Sequence, residues 1–266
     1  MPRASRPPLN KTRLQKIVAA AGVASRRGAE DLLREGRVAV NGVRARLGDS
    51  ADAQCDVVTV DGVPMEREAL AYWLVNKPRG VITTVRDPQG RPTVVGLVPA
   101  RTPRLFPVGR LDRDTEGLVL LTNDGALAQV LLHPSHESER EYRVTVKGAV
   151  APATLKRLAQ GVELEEGRTA PAQVGPARFD SRAGTTRFAL TMIEGKKRQI
   201  RRSLRALGHS VVGLSRVRMG PLRLGQLEPG AARPLNAREI RALLRLRDQQ
   251  AGQTSSALRK SRGKSA

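Results

Sequence analysis

Apolar positions recur at helical spacing near the start of the chain. Thr12, with Gln15 three residues later, resembles a capping box, and an apolar stripe follows it as far as Gly22. Ser25 is of a residue type that caps helices, and a second apolar stripe runs from it to Arg34. The pattern therefore predicts two short helices.

The period then shortens to the two-residue alternation of strands. One apolar alternation leads into Asn41-Gly42 and another leads into Asp61-Gly62. These dipeptides favour the left-handed backbone of tight hairpin turns. Two helices followed by a small twisted sheet predict a separate module that, with its linker, spans residues 12–69 and is near the lower size limit for independent folding.

From residue 70 to residue 248 the chain carries both strand and helix patterns. The predicted strands are residues 71–76, 119–122, 142–146, 187–193 and 210–214. The predicted helices are residues 126–132, 152–160, 198–207 and 237–246. Because the two kinds of element are not strictly interleaved, we expect an α+β domain with a mixed, largely antiparallel sheet rather than a doubly wound fold.

Charge indicates the kind of partner. The chain has 47 Lys and Arg residues against 25 Asp and Glu residues, a formal net charge of +22. Such a field attracts polyanions, so nucleic acid is the expected partner. Residues 1–11 and 249–266 are polar and basic without periodicity, and we expect a disordered basic segment at each end.

Several other classes of protein are disfavoured by composition. No apolar run approaches the roughly 18 residues of a membrane helix, and the first residues lack the apolar segment of a signal peptide, so a cytoplasmic protein is expected. The single cysteine, Cys55, rules out an internal disulfide, and three histidines beside it are too few for the usual zinc sites. We expect no metal and no cofactor, with any catalysis carried by carboxylate, Tyr, Lys or Arg side chains.

Basic residues cluster in the first module. Arg26 and Arg27 begin its second helix, where backbone N–H groups, the helix dipole and two guanidinium groups can hold one phosphate. A solvated basic helix face is the alternative. The clustering favours RNA or DNA binding by the basic residues of the module, which are Arg13, Lys16, Arg26, Arg27, Arg34, Arg37, Arg44 and Arg46.

The stretch LQKIVAAAGVASRRGAEDLLREGRVAVNG resembles the S4 RNA-binding domain, and the resemblance covers residues 13 to about 60. It implies that the module binds structured RNA. Aromatic residues make up only 2% of the chain, which agrees with recognition of backbone and shape rather than base stacking.

A carboxylate stands in the loop sequence GRLDRDTEGLVLLTNDG, directly before an apolar strand. Asp112 is a candidate catalytic group because loops beside rigid strands often carry catalysis. The alternative is a structural acid paired with a neighbouring arginine. Asp112 and Asp114 also resemble a metal pair or a glycosidase-like acid/base pair. A metal pair is disfavoured because no further cluster of acids or histidines completes a metal shell, and a glycosidase pair is disfavoured because a neutral sugar gains nothing from the basic charge.

Two later segments carry the other candidates. Tyr142 begins an alternating strand, and packing in the core is its alternative interpretation. The run GKKRQIRR continues to Arg205 with six basic residues and no acid. On a helix, Ile200 would face inward, while Arg198 and Arg202 would lie on a face suited to a phosphate backbone.

In order, GRLDRDTEGLVLLTNDG, EREYRVTVKG and EGKKRQIRRSLRALG resemble the three motifs of pseudouridine synthases of the small-subunit-rRNA-synthase-like family. With the S4-like start, the resemblance covers nearly all of residues 12–247. The segment RDPQGRPTV also resembles one found in large-subunit members. The resemblance implies a cofactor-free isomerase, and we expect a monomer that acts on a uridine of ribosomal RNA, preferably 23S rRNA.

The resemblance also implies roles for individual residues. The uridine is flipped out, and Asp112 assists cleavage of the N1–C1′ bond, either by attack on C1′ or by removal of the C2′ proton. Tyr142 would lie against the base, with Ile200 as the apolar wall beneath it. Arg110 would fill the gap in the RNA stack.

A basic residue is expected beside Asp112, because an opposite charge favours the carboxylate. By motif position Lys196 is the first candidate and Arg201 the second. The rival hypothesis is a non-catalytic rRNA-binding or ribosome-assembly protein in which Asp112 is structural, but such a protein has no need of Asp112, Tyr142 and Lys196 together. A hydrolase of nucleic acid would need a metal site or a nucleophile triad that the sequence does not offer.

Overall fold

The computed structural model describes residues 11–262, and the chain divides between Leu70 and Ala71 into two compact units. The N-terminal unit contains β1 (Thr12–Arg13), α1 (Leu14–Ala20), α2 (Arg26–Arg34), β2 (Val38–Val40), β3 (Val43–Arg44), β4 (Ser50–Ala51), β5 (Val58–Val60) and β6 (Val63–Pro64). Four strands form an antiparallel sheet in the order β3-β2-β5-β6, and β1 pairs with β4. An apolar cluster that includes Leu14, Ala29 and Val38 joins the two helices to this sheet.

Both predicted hairpin turns form. Asn41 and Gly42 have φ values of 50° and 81°, and Asp61 and Gly62 have φ values of 49° and 79°. Positive φ at both central residues matches the right-handed twist of the flanking strands. The Asn-Gly and Asp-Gly signals therefore identified both turns of the small sheet.

Both predicted helices form, but their starts differ from the prediction at one point. Ser25 caps α2, because its hydroxyl accepts a hydrogen bond of 3.0 Å from the Gly28 N–H. The expected capping box at Thr12 is wrong: Thr12 lies in β1 opposite Ala51, and Arg13 at the cap position makes no side-chain cap bond. Thr12 has the local propensity to cap a helix, but in the fold its backbone pairs with a strand instead.

The second unit is built on one large sheet. Its strands are β7 (Tyr72–Lys77), β8 (Phe106–Pro107), β9 (Glu116–Thr122), β10 (Arg140–Lys147), β11 (Gln173–Val174), β12 (Arg178–Asp180), β13 (Thr185–Met192), β14 (Val211–Met219), β15 (Leu222–Arg223) and β16 (Ala232–Pro234). Its helices are α3 (Gly125–Leu132), α4 (Pro152–Gln160), α5 (Gln199–Ala206) and α6 (Ala237–Arg262), with 3₁₀ turns at Val95–Leu97 and Pro134–His136.

The strand order of this sheet is β11-β13-β10-β14-β9-β7-β16, with β12 on β13, β15 on β14 and β8 on β9. The pairing of β14 with β9 is parallel, and the other pairs described in this sheet are antiparallel. The expected α+β class with a mixed, largely antiparallel sheet is confirmed. The short strands β8, β11, β12, β15 and β16 were not predicted, because two or three residues give too little alternation to detect.

Apolar side chains cover both faces of the large sheet. One cluster joins Val119 and Val144 to α4 and α5, and the other joins Leu118 and Leu120 to α3 and α6. Successive residues of β9 thus point to opposite faces, as the pleat of a strand requires. We call the face with Val119 and Val144 the front face and the other the reverse face.

The ends of the chain differ in part from expectation. Helix α6 continues to Arg262, so residues 249–262 are helical where a disordered tail was predicted from residue 249. Residues 1–10 and 263–266, which carry most of the predicted disordered start and the end of the predicted tail, lie outside the described residues. None of the helices described is both long and apolar enough to cross a membrane.

Candidate functional site

Asp112 lies in the loop that leads into β9, and the backbone around it is held on both sides. The Leu111 N–H donates to Thr83 Oγ1 at 3.2 Å, and the same hydroxyl donates to the Leu111 carbonyl at 2.9 Å. On the other side, the Thr115 N–H donates to the Asp112 carbonyl at 3.0 Å. Such paired contacts fix the position from which the Asp112 side chain extends.

A fully buried lysine ties this loop to the turn after β7. Lys77 Nζ donates to the carbonyls of Pro78 (3.0 Å), Val81 (2.7 Å) and Arg113 (3.4 Å). Burial lowers the pKa of Lys77 to about 8, although nearby carboxylates, including that of Asp112, oppose the shift. Lys77 was not among the predicted site residues, and its only signal in the sequence is a lysine before a proline at the end of an apolar strand.

Asp114 is occupied by two arginines. Arg198 donates to both oxygens of its carboxylate, at 3.2 and 3.0 Å. Arg201 Nε lies 3.3 Å from Asp114 Oδ2, and another guanidinium nitrogen of Arg201 donates to the Asp114 carbonyl at 2.9 Å. Burial raises the pKa of Asp114, but the two guanidinium groups outweigh it, and the net pKa lies below the ordinary value.

The carboxylate of Asp112 has no such partner. Within residues 11–262 it makes no hydrogen bond, and no cation lies within 4.0 Å of it. Its charge nevertheless contributes to the electrostatic environment of Lys77, Arg198 and Arg201. Asp112 is therefore a partly exposed carboxylate, unpaired among the described residues, and the nearby cations Lys77, Arg198 and Arg201 are bound to other groups.

The two candidate partners of Asp112 differ in placement. Lys196 Nζ donates to the Arg168 carbonyl at 3.2 Å, and in the described structure it forms no ion pair with Asp112. Arg201, by contrast, is bound to Asp114, two residues beyond Asp112. Among the described residues, neither candidate therefore pairs with the Asp112 carboxylate, and Arg201 is held by the neighbouring acid of the same loop.

Arg198 has an unusual backbone as well as a bound side chain. Its φ is +51°, a left-handed conformation that a residue with a side chain adopts at a cost, and it stands at the cap position before α5. The bidentate pair with Asp114 holds it there. Helix α5 therefore starts one residue later than predicted, and the strained cap links it to the Asp112 loop.

Tyr142 and Ile200 lie in the same apolar cluster as Leu111, on the front face. Tyr142 pairs with Arg216 of β14, which in turn pairs with Gly117 of β9. Two strand spacings place the Tyr142 backbone about 10 Å from the start of β9. Tyr142 is 9% exposed, and among the described residues its hydroxyl makes no hydrogen bond.

Gly117 permits the close approach of these strands. Its φ is +104°, and a Cβ at this position would lie 2.3 Å from the Arg216 carbonyl oxygen. A larger residue would push β9 away from β14 and displace the loop that carries Asp112. The glycine of the DTEG sequence is thus required by packing at the site.

Arg216 is a further residue that the sequence analysis missed. It is 2% exposed, its Nε donates to the Leu118 carbonyl at 2.8 Å, and its Nη2 is buried without a partner among the described residues. Leu214, two residues earlier, belongs to the front-face cluster, which places Arg216 beside Tyr142. Its signal in the sequence is weak, because the same strand also carries Ser215 and Arg218.

The remaining basic candidates lie around the loop and α5. Arg110 is exposed two residues before Asp112. Arg202 forms an ion pair with Glu166. A pocket of about 280 Å³ beside these residues is lined by Arg198, Arg201, Arg202, Arg205, His209, Ser210 and Val211. No group of three or more His, Cys, Asp or Glu side chains within the described residues is placed to hold a metal ion.

The basic candidates of the N-terminal unit divide into two sets. Arg13 donates to the Gly48 carbonyl, and Arg37 is held by Asp61 and Glu35. The second set is Lys16, Arg26 and Arg27, which are exposed and have no hydrogen-bond or ion-pair partner among residues 11–262. The first turn of α2, where Arg26 and Arg27 lie, contains no acid. This second set is open to an external anion.

The chain is similar to known proteins over both of its units. Residues 71–206 match the model of the RNA pseudouridylate synthase family, and residues 12–54 match that of the S4 domain. The ribosomal large subunit pseudouridine synthase B of Bacillus subtilis (strain 168) is 46% identical over 205 residues, which cover 77% of this chain and 84% of that protein. An uncharacterized RNA pseudouridine synthase of Aquifex aeolicus (strain VF5) is 43% identical over 88% of this chain and 94% of that protein. A crystal structure of a pseudouridylate synthase, 33% identical, superposes with a TM-score of 0.63 over 87% of this chain and 99% of that chain.

Proposed function

Because the chain belongs to the RNA pseudouridylate synthase family and is therefore an isomerase, we propose that it converts a uridine of large-subunit ribosomal RNA to pseudouridine, with Asp112 as the catalytic carboxylate. The observation that carries the assignment is the difference between two carboxylates of one loop. Asp114 is bound by Arg198 and Arg201, whereas Asp112 is unpaired among the described residues. A carboxylate that must reach the ribose needs this freedom.

The reaction moves one bond and one proton without net oxidation or reduction. The N1–C1′ bond of a flipped-out uridine breaks, the uracil turns, C5 bonds to C1′, and the proton that leaves C5 is balanced by one gained at N1. Asp112 serves either as the nucleophile at C1′ or as the base at C2′. Both routes need a fixed loop, and the contacts at Leu111 and Thr115 supply it.

The front-face residues fit the base. Ile200 and Tyr142 share one apolar cluster, so the base would lie on Ile200 with Tyr142 against it. The buried, unpartnered Nη2 of Arg216 is a donor on the same face, suited to a carbonyl oxygen of uracil. Arg110 is exposed near Asp112 and would occupy the space that the flipped nucleotide leaves in the RNA stack.

Support for the RNA class comes from charge and from relatives. The net charge of +22 and the open cations Lys16, Arg26 and Arg27 suit a phosphate backbone. The Bacillus subtilis relative is named for the large ribosomal subunit. The segment RDPQGRPTV, which resembles one of large-subunit members, points the same way, so 23S rRNA is the proposed substrate.

The test is to map pseudouridine in 16S and 23S rRNA from cells that lack the protein and from the same cells after a variant has been introduced. Wild type and the control Asp248→Asn, which loses the same charge on α6, should restore one missing site in 23S rRNA. Asp112→Asn should restore none, while the purified variant binds the RNA as wild type does. A site restored by Asp112→Asn would refute the catalytic role, and a site in 16S rRNA would refute the proposed substrate.

A further inference from the structure

The second unit carries a basic groove away from the candidate site. It has a volume of about 610 Å³ and lies along β12, β13 and β10. Its lining includes Arg143, Arg178, Arg182, Arg187 and Phe179. We call it the arginine groove.

The register of the strands places Arg143, Arg178 and Arg187 of this groove on the reverse face of the sheet. Arg143 follows Tyr142 on β10, and Arg187 precedes the buried Phe188 on β13. Because side chains alternate along a strand, Arg143 and Arg187 point away from the front-face cluster that holds Tyr142 and Phe188. Helices α3 and α6 cover the reverse face over β7 and β9, but Arg143 and Arg187 are exposed to solvent.

The guanidinium groups of the groove are exposed to solvent. Within the described part of the chain, the side chains of Arg143, Arg178, Arg182 and Arg187 form no hydrogen bond or ion pair. The carboxylate in the lining, that of Asp180, accepts two backbone N–H groups of the turn after β12 at 3.1 Å each.

The arrangement also brings like charges together. Arg187 stands directly opposite Arg178 in the register of β13 and β12. Like charges placed opposite one another across strands destabilise a sheet. Neither guanidinium forms an ion pair within the described residues, so the groove is suited to an anion from outside.

An exposed aromatic ring lies at the edge of the sheet beside the charges. Phe179 stands opposite Thr186 on the edge strand β12, so its ring projects from the other face of this strand than Arg178, and RNA that reaches both would pass around the edge. Phe179 is 53% exposed, although the chain has three phenylalanines and aromatic residues make up only 2% of it. Nucleic acid bases stack on exposed rings, while arginines bind the phosphates beside them. Stacking on a ring requires a base that is not already paired and stacked in a helix.

We propose that the arginine groove is a second RNA-binding surface, which holds an unpaired stretch of the RNA substrate on the opposite side of the sheet from Asp112. The inference rests on the proposed function only in taking RNA as the substrate. A second copy of this chain does not fit, because a symmetric contact would bring one set of arginines against another. An acidic protein is the other possible partner, and binding measurements decide between the two.

The first experiment removes the charge of the groove. The triple variant Arg143→Gln/Arg178→Gln/Arg187→Gln is compared with Arg238→Gln/Arg241→Gln/Arg245→Gln, which loses the same charge from exposed positions on α6. The probe is a labelled oligoadenylate, which contains no uridine and therefore is no substrate. Affinity is measured by fluorescence anisotropy over a range of salt concentrations.

We expect the groove variant to bind at least tenfold more weakly and to lose about 2 from its salt slope, since each single-strand phosphate contact contributes about 0.7. The α6 variant should lose much less of both. Turnover of a minimal stem-loop should be unchanged in the groove variant. Equal losses in the two triple variants, or an unchanged oligoadenylate affinity with loss of an acidic protein partner, would overturn the proposal.

The second experiment isolates the ring. Phe179→Ala should weaken oligoadenylate binding roughly tenfold, within the range measured for lost base stacking, while Phe179→Tyr keeps the ring and the affinity. The salt slope should not change in either variant, because stacking releases no counterions. Wild-type affinity in Phe179→Ala would refute the stacking contact. Neither experiment depends on Asp112, so a failure of the catalytic assignment would leave these results interpretable.

Discussion

The arginines beside α5 and those at the start of α2 look alike in the sequence, but within the described residues only the pair beside α5 is bound to an acid. Arg198 and Arg201 are bound to Asp114, which stands in the loop of the catalytic candidate. Arg26 and Arg27 have no hydrogen-bond or ion-pair partner within residues 11–262. The first pair positions a loop of the protein, and the second pair is open to a phosphate. Whether an arginine positions a loop or is open to RNA thus depends on its partners in the fold, not on how many charges lie near it.

The strongest test of this comparison removes the acid that occupies the α5 pair. In Asp114→Asn both guanidinium groups lose their ionic partner, and the Asp112 carboxylate becomes the nearest one available to them. We expect turnover to fall about a hundredfold, or about 2.7 kcal/mol in activation free energy, because Asp112 is displaced and paired. RNA affinity should not fall. Single-turnover kinetics and equilibrium binding measure the two effects.

The matched control lies in the other unit. Asp31 forms an ion pair of 2.6 Å with Arg34 on α2, so Asp31→Asn removes the same charge from a pair that holds no candidate catalytic group. Its turnover should equal that of wild type. If both variants turn over normally, the arginines near α5 do not position the loop.

A second test concerns the buried cation on the other side of the same loop. Lys77→Met removes the donor that Pro78, Val81 and Arg113 share, and we expect a loss of about 2 kcal/mol in the free energy of unfolding at pH 7. Chemical denaturation of both proteins over a range of pH measures it.

The pH dependence of this difference has a definite sign. Lys77 has a pKa of about 8 in the fold, below its ordinary value of 10.5, so between these values the unfolded chain binds more protons. Stability contributed by Lys77 therefore rises with pH across that window. The difference in free energy of unfolding between wild type and Lys77→Met should increase from pH 7 to pH 10. The same difference between wild type and Lys156→Met, a change at an exposed lysine, should not depend on pH. A difference for Lys77→Met that decreases would contradict the burial of Lys77.

Local signals explain why much of the fold was predictable. Turn dipeptides such as Asn41-Gly42 and the cap at Ser25 act over a few residues, and long strands such as β10 show clear alternation. The mixed sheet followed from the order of the elements. The capping box at Thr12 failed because its competitor, the pairing with Ala51, is distant in sequence.

The candidate site was predictable only in part, for the same reason. The motif pattern selected Asp112, but whether it is free or paired depends on Arg198 and Arg201, more than 80 residues away. Lys196 ranked first by motif position, yet its amine reaches the Arg168 carbonyl. A single sequence shows which residues are cations, and tertiary contacts decide which acid each one meets.

The third test acts on the open arginines. Arg26→Gln/Arg27→Gln should weaken binding of an rRNA fragment about tenfold, which is about 1.4 kcal/mol, and should lower the salt slope by roughly 1 to 2. Both positions are exposed, and the fold should be unaffected. Filter binding at several salt concentrations, with thermal unfolding as the check on folding, gives the answer. An unchanged slope would mean that α2 does not contact phosphates.

The smallest effect is expected at Arg37, which the sequence placed with the RNA-binding set. Two nitrogens of its guanidinium donate to the Asp61 carboxylate, at 2.8 and 2.6 Å, and a third contact reaches Glu35. Hydrogen bonds and charge from Arg37 lower the pKa of Asp61, so the acid stays ionised and competes with any phosphate. Arg37→Gln should therefore leave RNA affinity and the salt slope close to wild type, while each single change at Arg26 or Arg27 weakens binding severalfold. If Arg37→Gln weakens binding as much as Arg26→Gln does, the arginine exchanges its protein partners for RNA, and ion pairing in the free protein does not separate positioning from binding in this module.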